Sequence, residues 1–144
     1  FYFFRLFCSS FKIMKTIRIL ILEDELKALS VLLDKFSLLE EENRNIDIAV
    51  TVLSEYTQVE EYVNKTETEF DVVLLDRDCK ACGSFHTLDF EKFGPEKIIS
   101  ISSMPEWNKE AEARGVKKIV LKDFANLDAF ATRVMAEIKA MLRY

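Results

Sequence analysis

The chain has 144 residues, 49% of them hydrophobic and 31% charged, enough to bury one sizeable core in one domain. Twenty-five acidic against 20 basic side chains give a formal net charge of -5, which disfavours a nucleic-acid surface and suits a cation-binding protein. Three cysteines, Cys8, Cys79 and Cys82, are too few and too oddly counted for a disulfide framework, so a reducing cytoplasmic setting is expected.

Residues 1–13 are apolar and aromatic but are interrupted by Arg5 and Lys12, well short of the roughly 20 apolar residues that span a bilayer. They also lack a clean apolar centre followed by a small-residue cleavage site. Met14 stands directly before the first convincing strand. The segment 1–13 therefore reads as a disordered extension or translated upstream sequence, ahead of the alternative of a membrane-touching or partner-binding extension, and 14–144 as the folded domain, with no membrane partner expected.

From Ile17 onwards, short β-branched runs alternate with stretches of helical periodicity, the pattern of βαβ units around a parallel sheet. The first strand is predicted over Ile17 to Leu22. A helix follows, marked by Leu29, Leu32, Leu33 and Phe36 at i, i+3, i+4 and i+7. The second strand is predicted over Ile46 to Leu53, a short helix around Val59, Tyr62 and Val63, and the third strand over Asp71 to Leu75. The next helix, near Leu88 to Phe93, has the weakest pattern. A fourth strand over Lys97 to Ile101 and a helix from Trp107 to Arg114, capped by Gly115, come next. A fifth strand over Val116 to Leu121 and a helix from Leu127 to Leu142 complete the series. The first, third and fifth strands read as Ile/Leu/Val runs covered on both faces. Right-handed crossovers place helices on both faces of an open, doubly wound α/β sheet, and such sheets bind ligands at the carboxyl ends of their strands. Five units in this length are expected to stand alone, without an output domain.

At those carboxyl ends stand Glu23-Asp24-Glu25 after the first strand, Asp76 after the third, Ser102-Ser103 after the fourth and Lys122 after the fifth. Crowded carboxylates raise one another's pKa unless a cation offsets them, and hard oxygen ligands suit Mg²⁺. Asp76, following a buried apolar run, is the natural nucleophile towards phosphorus. Lys122 would neutralise phosphoryl oxygens and Ser102 would supply a hydroxyl donor.

The segments ILILEDE, VVLLDRD, IISISS and VLKDF, in that order, resemble the four signature strand ends of response-regulator receiver domains. The resemblance covers about Ile17 to Leu142. It implies a five-stranded flavodoxin-like fold of strand order 2-1-3-4-5. It also implies Mg²⁺ at Glu23, Asp24 and Asp76 with the backbone carbonyl of Asp78, phosphorylation on Asp76, Ser102 in the Ser/Thr switch position and Lys122 in the lysine position. The partners implied are a histidine kinase or phosphotransfer protein upstream and a protein effector downstream, with homodimerisation on phosphorylation left open. Three features depart from the family: Asp123 replaces the proline after the lysine, Ile119 replaces a common aromatic residue, and the loop Arg77 to Gly83 lacks apolar-Pro-Gly character.

Other readings compete. Asp76-Arg77-Asp78 also matches the DxD of haloacid-dehalogenase-type phosphatases, but there the DxD follows the first strand and the acidic pair comes last, the reverse of the order here. A receiver-like module that binds protein without phosphorylation is the other alternative. Cys79-Lys80-Ala81-Cys82 with His86 offers only three metal ligands, so ordinary reduced cysteines and a surface histidine are expected there. Trp107 is expected to pack on its neighbours.

Overall fold

Ile17, Ile19 and Ile21 turn to one face of the first strand and Leu20 and Leu22 to the other, and all five are fully buried. A strand apolar on both faces must lie inside a sheet with layers above and below. The computed structural model, which describes residues 14–79 and 82–144, builds that arrangement. In chain order the elements are β1 (Lys15–Leu22), α1 (Leu26–Glu42), β2 (Ile46–Leu53), α2 (Thr57–Glu61), β3 (Val72–Leu75), α3 (Phe90–Phe93), β4 (Ile98–Ser100), α4 (Pro105–Ala113), β5 (Lys118–Ile119) and α5 (Leu127–Leu142). The strands form one five-stranded, all-parallel sheet of order β2-β1-β3-β4-β5.

Two apolar layers sandwich this sheet. Ile17, Ile19, Ile21, Val72, Leu74 and Ile99 meet α1 through Leu32 and Phe36 and α5 through Phe130, Val134 and Ile138. On the opposite face Leu20, Leu22, Val73, Leu75 and Ile98 meet Val59 of α2, Phe90 and Phe93 of α3 and Ala111 of α4. The expected doubly wound architecture and strand order are therefore present.

Local differences have local causes. Leu33, expected on the inner face of α1, is exposed, and Leu39, three residues beyond Phe36, takes an inward position instead. The fifth strand is only partly covered: Val120 and Val116 are buried, one in each layer, but Leu121 is exposed and the strand lies at the sheet edge, paired with β4. Regular pairing there shortens to Lys118–Ile119, although the Val120 N–H still donates to the Ser100 carbonyl and the Lys122 N–H to the Ser102 carbonyl. The weakly patterned third helix is a single turn, capped by the Asp89 side chain, which accepts from the Lys92 N–H, and stopped by Gly94-Pro95. α4 ends in a Schellman cap, Gly115 N–H donating to Glu112 and Val116 N–H to Ala111, with Gly115 at φ 97°. Residues 1–13 and Cys8 lie outside the described residues. No helix among the described residues is long and apolar enough to cross a membrane.

Phe130 is fully buried between α5 and the sheet, whereas Leu33 faces solvent. Phe130→Ala is expected to cost about 3–5 kcal/mol through lost burial and a cavity, and Leu33→Ala under about 0.5 kcal/mol. Urea unfolding midpoints of the two variants check the contrast; similar losses would contradict this packing.

Candidate functional site

Parallel strands all end on the same side, so the residues following β1, β3, β4 and β5 are delivered to one edge of the sheet. Glu23 follows β1 and is fully buried; Asp76 follows β3 and is nearly so, its backbone N–H donating to the Leu22 carbonyl at 2.9 Å. Lys122, beyond β5, reaches across with its Nζ 2.6 Å from Glu23 Oε2 and 2.7 Å from Asp76 Oδ2. Glu23, Asp24 and Asp76 can each offer one carboxylate oxygen within 4.8 Å of the others, and they are the only such group of potential metal ligands among the described residues.

The electrostatics follow from this crowding. Burial, and then the charge of Asp76, raise the Glu23 carboxyl to about pKa 7, against the opposing pull of Lys122. Burial works against a charged Lys122, but the two carboxylates outweigh it and hold its pKa above the ordinary lysine value. With all three carboxylates ionised and Lys122 protonated the cluster carries two net negative charges, which one divalent cation would balance. The donor set consists of hard oxygens, as Mg²⁺ requires. Backbone donors support the carboxylates: Glu25 N–H reaches Glu23 Oε1 at 2.9 Å and Arg77 N–H reaches Asp76 Oδ1 at 2.7 Å.

Asp78 lies in a small turned-back loop, bridged to Ser84 in antiparallel fashion. The flanking hydrogen bonds use the carbonyls of Arg77 and Gly83, leaving the Asp78 carbonyl outside the ladder. Gly83 is required here, because any Cβ would run into the ring of Tyr56. Ser102 follows β4, fully buried, and its hydroxyl has no hydrogen-bond partner. Every residue expected at the site is thus at the same sheet edge, and four of them, Glu23, Asp24, Asp76 and Lys122, converge within direct reach.

The residues around this edge bring surprises. His86 is not a surface histidine: its side chain is only 8% exposed, edge-on to Phe90, with Nδ1 3.5 Å from Glu110 Oε2. Cys79 is buried in the layer beneath α3 and α4, and burial pushes its thiol up to about 12, while Cys82 is exposed. Trp107 is half-buried and does pack on a neighbour, the Arg77 guanidinium, 5.4 Å from its ring centre. Arg77 also holds Glu110 of α4 at 3.2 Å. Asn108, which periodicity did not single out, is the buried polar residue of α4 and binds the end of β4. Its signal was its spacing: with Ala111 it forms the i, i+3 inner face of α4.

No protein-family model matches the sequence, and no curated protein matches it. Solved structures do. The non-phosphorylated HemR receiver domain of Leptospira biflexa superposes with a TM-score of 0.62 at 18% identity, over 85% of this chain and 94% of that one. The receiver domain of the Francisella response regulator 1452 gives 0.56 at 21% identity, over 86% and 98%. The response regulator TrrA of Thermotoga maritima, solved in complex with Mg²⁺ and BeF, gives 0.54 at 20% identity, over 84% and 98%. The fold of this chain is that of response-regulator receiver domains.

Burial lowers the His86 pKa to about 4 from 6.5, partly opposed by Glu110. The folded state thus prefers the neutral ring, so this contribution is fully present above pH 6.5 and is lost as pH falls towards 4. Between pH 7.5 and 4.5 the loss due to His86 should reach roughly 2–3 kcal/mol. Denaturant unfolding at the two pH values checks it: His86→Gln should lose correspondingly less than wild type, and equal losses would show that His86 protonates freely in the folded protein.

Proposed function

We propose that this chain accepts a phosphoryl group on Asp76 in a Mg²⁺-dependent reaction and signals through the protein surface it presents, as a response regulator in a phosphorelay. The observation that carries the reading is the Lys122 ammonium bound at once to Asp76 and Glu23, with Asp24 beside them, at the ligand-binding edge of a receiver fold. One Asp76 carboxylate oxygen attacks phosphorus in the donor, the bond from phosphorus to the leaving group breaks with its electron pair, and the leaving group takes a proton from solvent. Water later cleaves the acyl phosphate and restores the carboxylate.

Each residue has a role set by its position. Lys122, already against Asp76 Oδ2, compensates the charge of the incoming phosphoryl oxygens. Ser102 offers a buried hydroxyl with no other partner, an unfavourable state that a phosphoryl oxygen would relieve. Glu23, Asp24 and Asp76, with the Asp78 carbonyl, would hold Mg²⁺, which neutralises charge on the phosphoryl group when bound. The donor is a histidine kinase, a phosphotransfer protein or a small phosphodonor, the setting is cytoplasmic, and the output is binding to a protein effector. The chain transforms no substrate beyond its own aspartate. The DxD-phosphatase reading lacks support, because Asp76-Arg77-Asp78 follows β3 rather than β1.

Intact-mass measurement after incubation with Mg²⁺ and acetyl phosphate tests this. One adduct of about 80 Da, base-labile, dependent on Mg²⁺ and lost in Asp76→Ala, is expected. No adduct with any donor, together with no Mg²⁺ affinity, would leave a module that binds partners without phosphorylation.

A further inference from the structure

The polar interior of this protein has a second centre next to the first. Asn108, on the inner face of α4, is 3% exposed. Its Oδ1 accepts from the Ser100 hydroxyl at 2.6 Å and from the Ser102 backbone N–H at 3.2 Å, and its Nδ2 donates to the Ser102 carbonyl at 3.1 Å. One carboxamide therefore grips both peptide groups of Ser102, and the pattern of a donor facing a carbonyl and an acceptor facing an N–H fixes the amide's orientation. The Ser102 carbonyl also accepts from the Lys122 backbone N–H at 3.2 Å. After these bonds the Ser102 hydroxyl is the one polar group of that residue left without a partner, although it is buried.

We propose that Asn108 is a positioning residue for the phosphoryl reaction: its carboxamide fixes the Ser102 backbone so that the hydroxyl is held for a phosphoryl oxygen, and it ties that hydroxyl mechanically to α4. This rests on Asp76 being a phosphoryl acceptor. Asn108 itself touches neither Asp76 nor Lys122 through any hydrogen bond, so it acts only through Ser102. Rigid support of this kind matters because small misplacements of a donor are costly in rate. Ser100 serves the same end: its hydroxyl occupies the remaining acceptor capacity of Asn108 and keeps the carboxamide from rotating.

The test compares rates of adduct gain and loss at Asp76, by intact mass with Mg²⁺ and acetyl phosphate, in wild type, Asn108→Ala, Ser102→Ala, the double variant and Ala111→Gly. Ala111→Gly weakens the same helix without touching the carboxamide. Ser102→Ala is expected to shift the rates by roughly tenfold, Asn108→Ala to shift them in the same direction, and the double variant to match Ser102→Ala alone, since both changes act through one hydroxyl. Ala111→Gly should keep the wild-type rates despite lower thermal stability. Should Asn108→Ala not fold, Ser100→Ala removes the hydroxyl that steadies the carboxamide, and a smaller shift in the same direction is then expected, with wild-type rates overturning the proposal. Rates within about twofold of wild type for a folded Asn108 variant, or for Ser102→Ala, overturn the proposal, as do multiplicative effects in the double variant. An unreactive wild type is a different result: it removes the phosphoryl-acceptor reading itself.

Discussion

The buried ammonium of Lys122 is the contact on which the polar end of this molecule depends. It joins Glu23 and Asp76, positions 99 and 46 residues away in the chain, and so ties the ends of β5, β1 and β3 together. Without it two carboxylates would face each other inside a low-dielectric edge of the sheet, where an unpaired charge is far more costly than on the surface. The burial that makes the arrangement expensive also makes it chemically useful, since charges there are screened little by water. The rise of Glu23 to about pKa 7 is the visible trace of that expense. With its carboxylates ionised the cluster is left two charges negative, which a divalent cation would balance, and a phosphoryl group would bring further negative charge for that cation and Lys122 to offset together.

The two faces of the sheet are built differently. The α1/α5 layer is apolar throughout, from Ile17 to Ile138. The opposite layer admits polar and titratable groups among its aromatics: His86 against Phe90, Cys79 near Leu75, and Arg114, whose guanidinium lies 3.5 Å from the centre of the Phe90 ring and donates to the His86 and Leu88 carbonyls. Arg114 makes its two bonds in one geometry only, while both His86 ring nitrogens are buried without a hydrogen-bond partner, so this face trades packing freedom for a defined arrangement around the loop that follows Asp76.

Much of this was legible in the sequence because parallel sheets write their rules plainly. Runs such as Ile17 to Leu22 can only be covered strands, and once five strands are parallel the residues after them must share an edge, which placed Glu23, Asp24, Asp76, Ser102 and Lys122 together. What was not legible depends on registers and rotations that periodicity does not carry. Leu33 fits the apolar spacing of α1 yet faces outward, because the helix axis is set by the heavier face of Leu32, Phe36 and Leu39. His86 reads as a loop residue, and only the approach of α4 with Glu110 encloses it. Asn108 was hidden for the opposite reason: a polar residue on an inner helical face looks like an interruption until the peptide groups it must satisfy are seen.

α4 is held at the site by two attachments of unequal weight. Arg77 meets Glu110 and Trp107 at the rim, where both charged side chains are well exposed and solvent weakens the pair. Asn108 makes three hydrogen bonds in the interior, where breaking any of them leaves a buried group unpaired. A movement at the end of β4 therefore cannot leave α4 behind without disrupting the interior set, whereas the Arg77 contact can be exchanged for water at little cost. The buried carboxamide, and not the surface ion pair, is the connection through which the state of Ser102 would be felt at the helix surface.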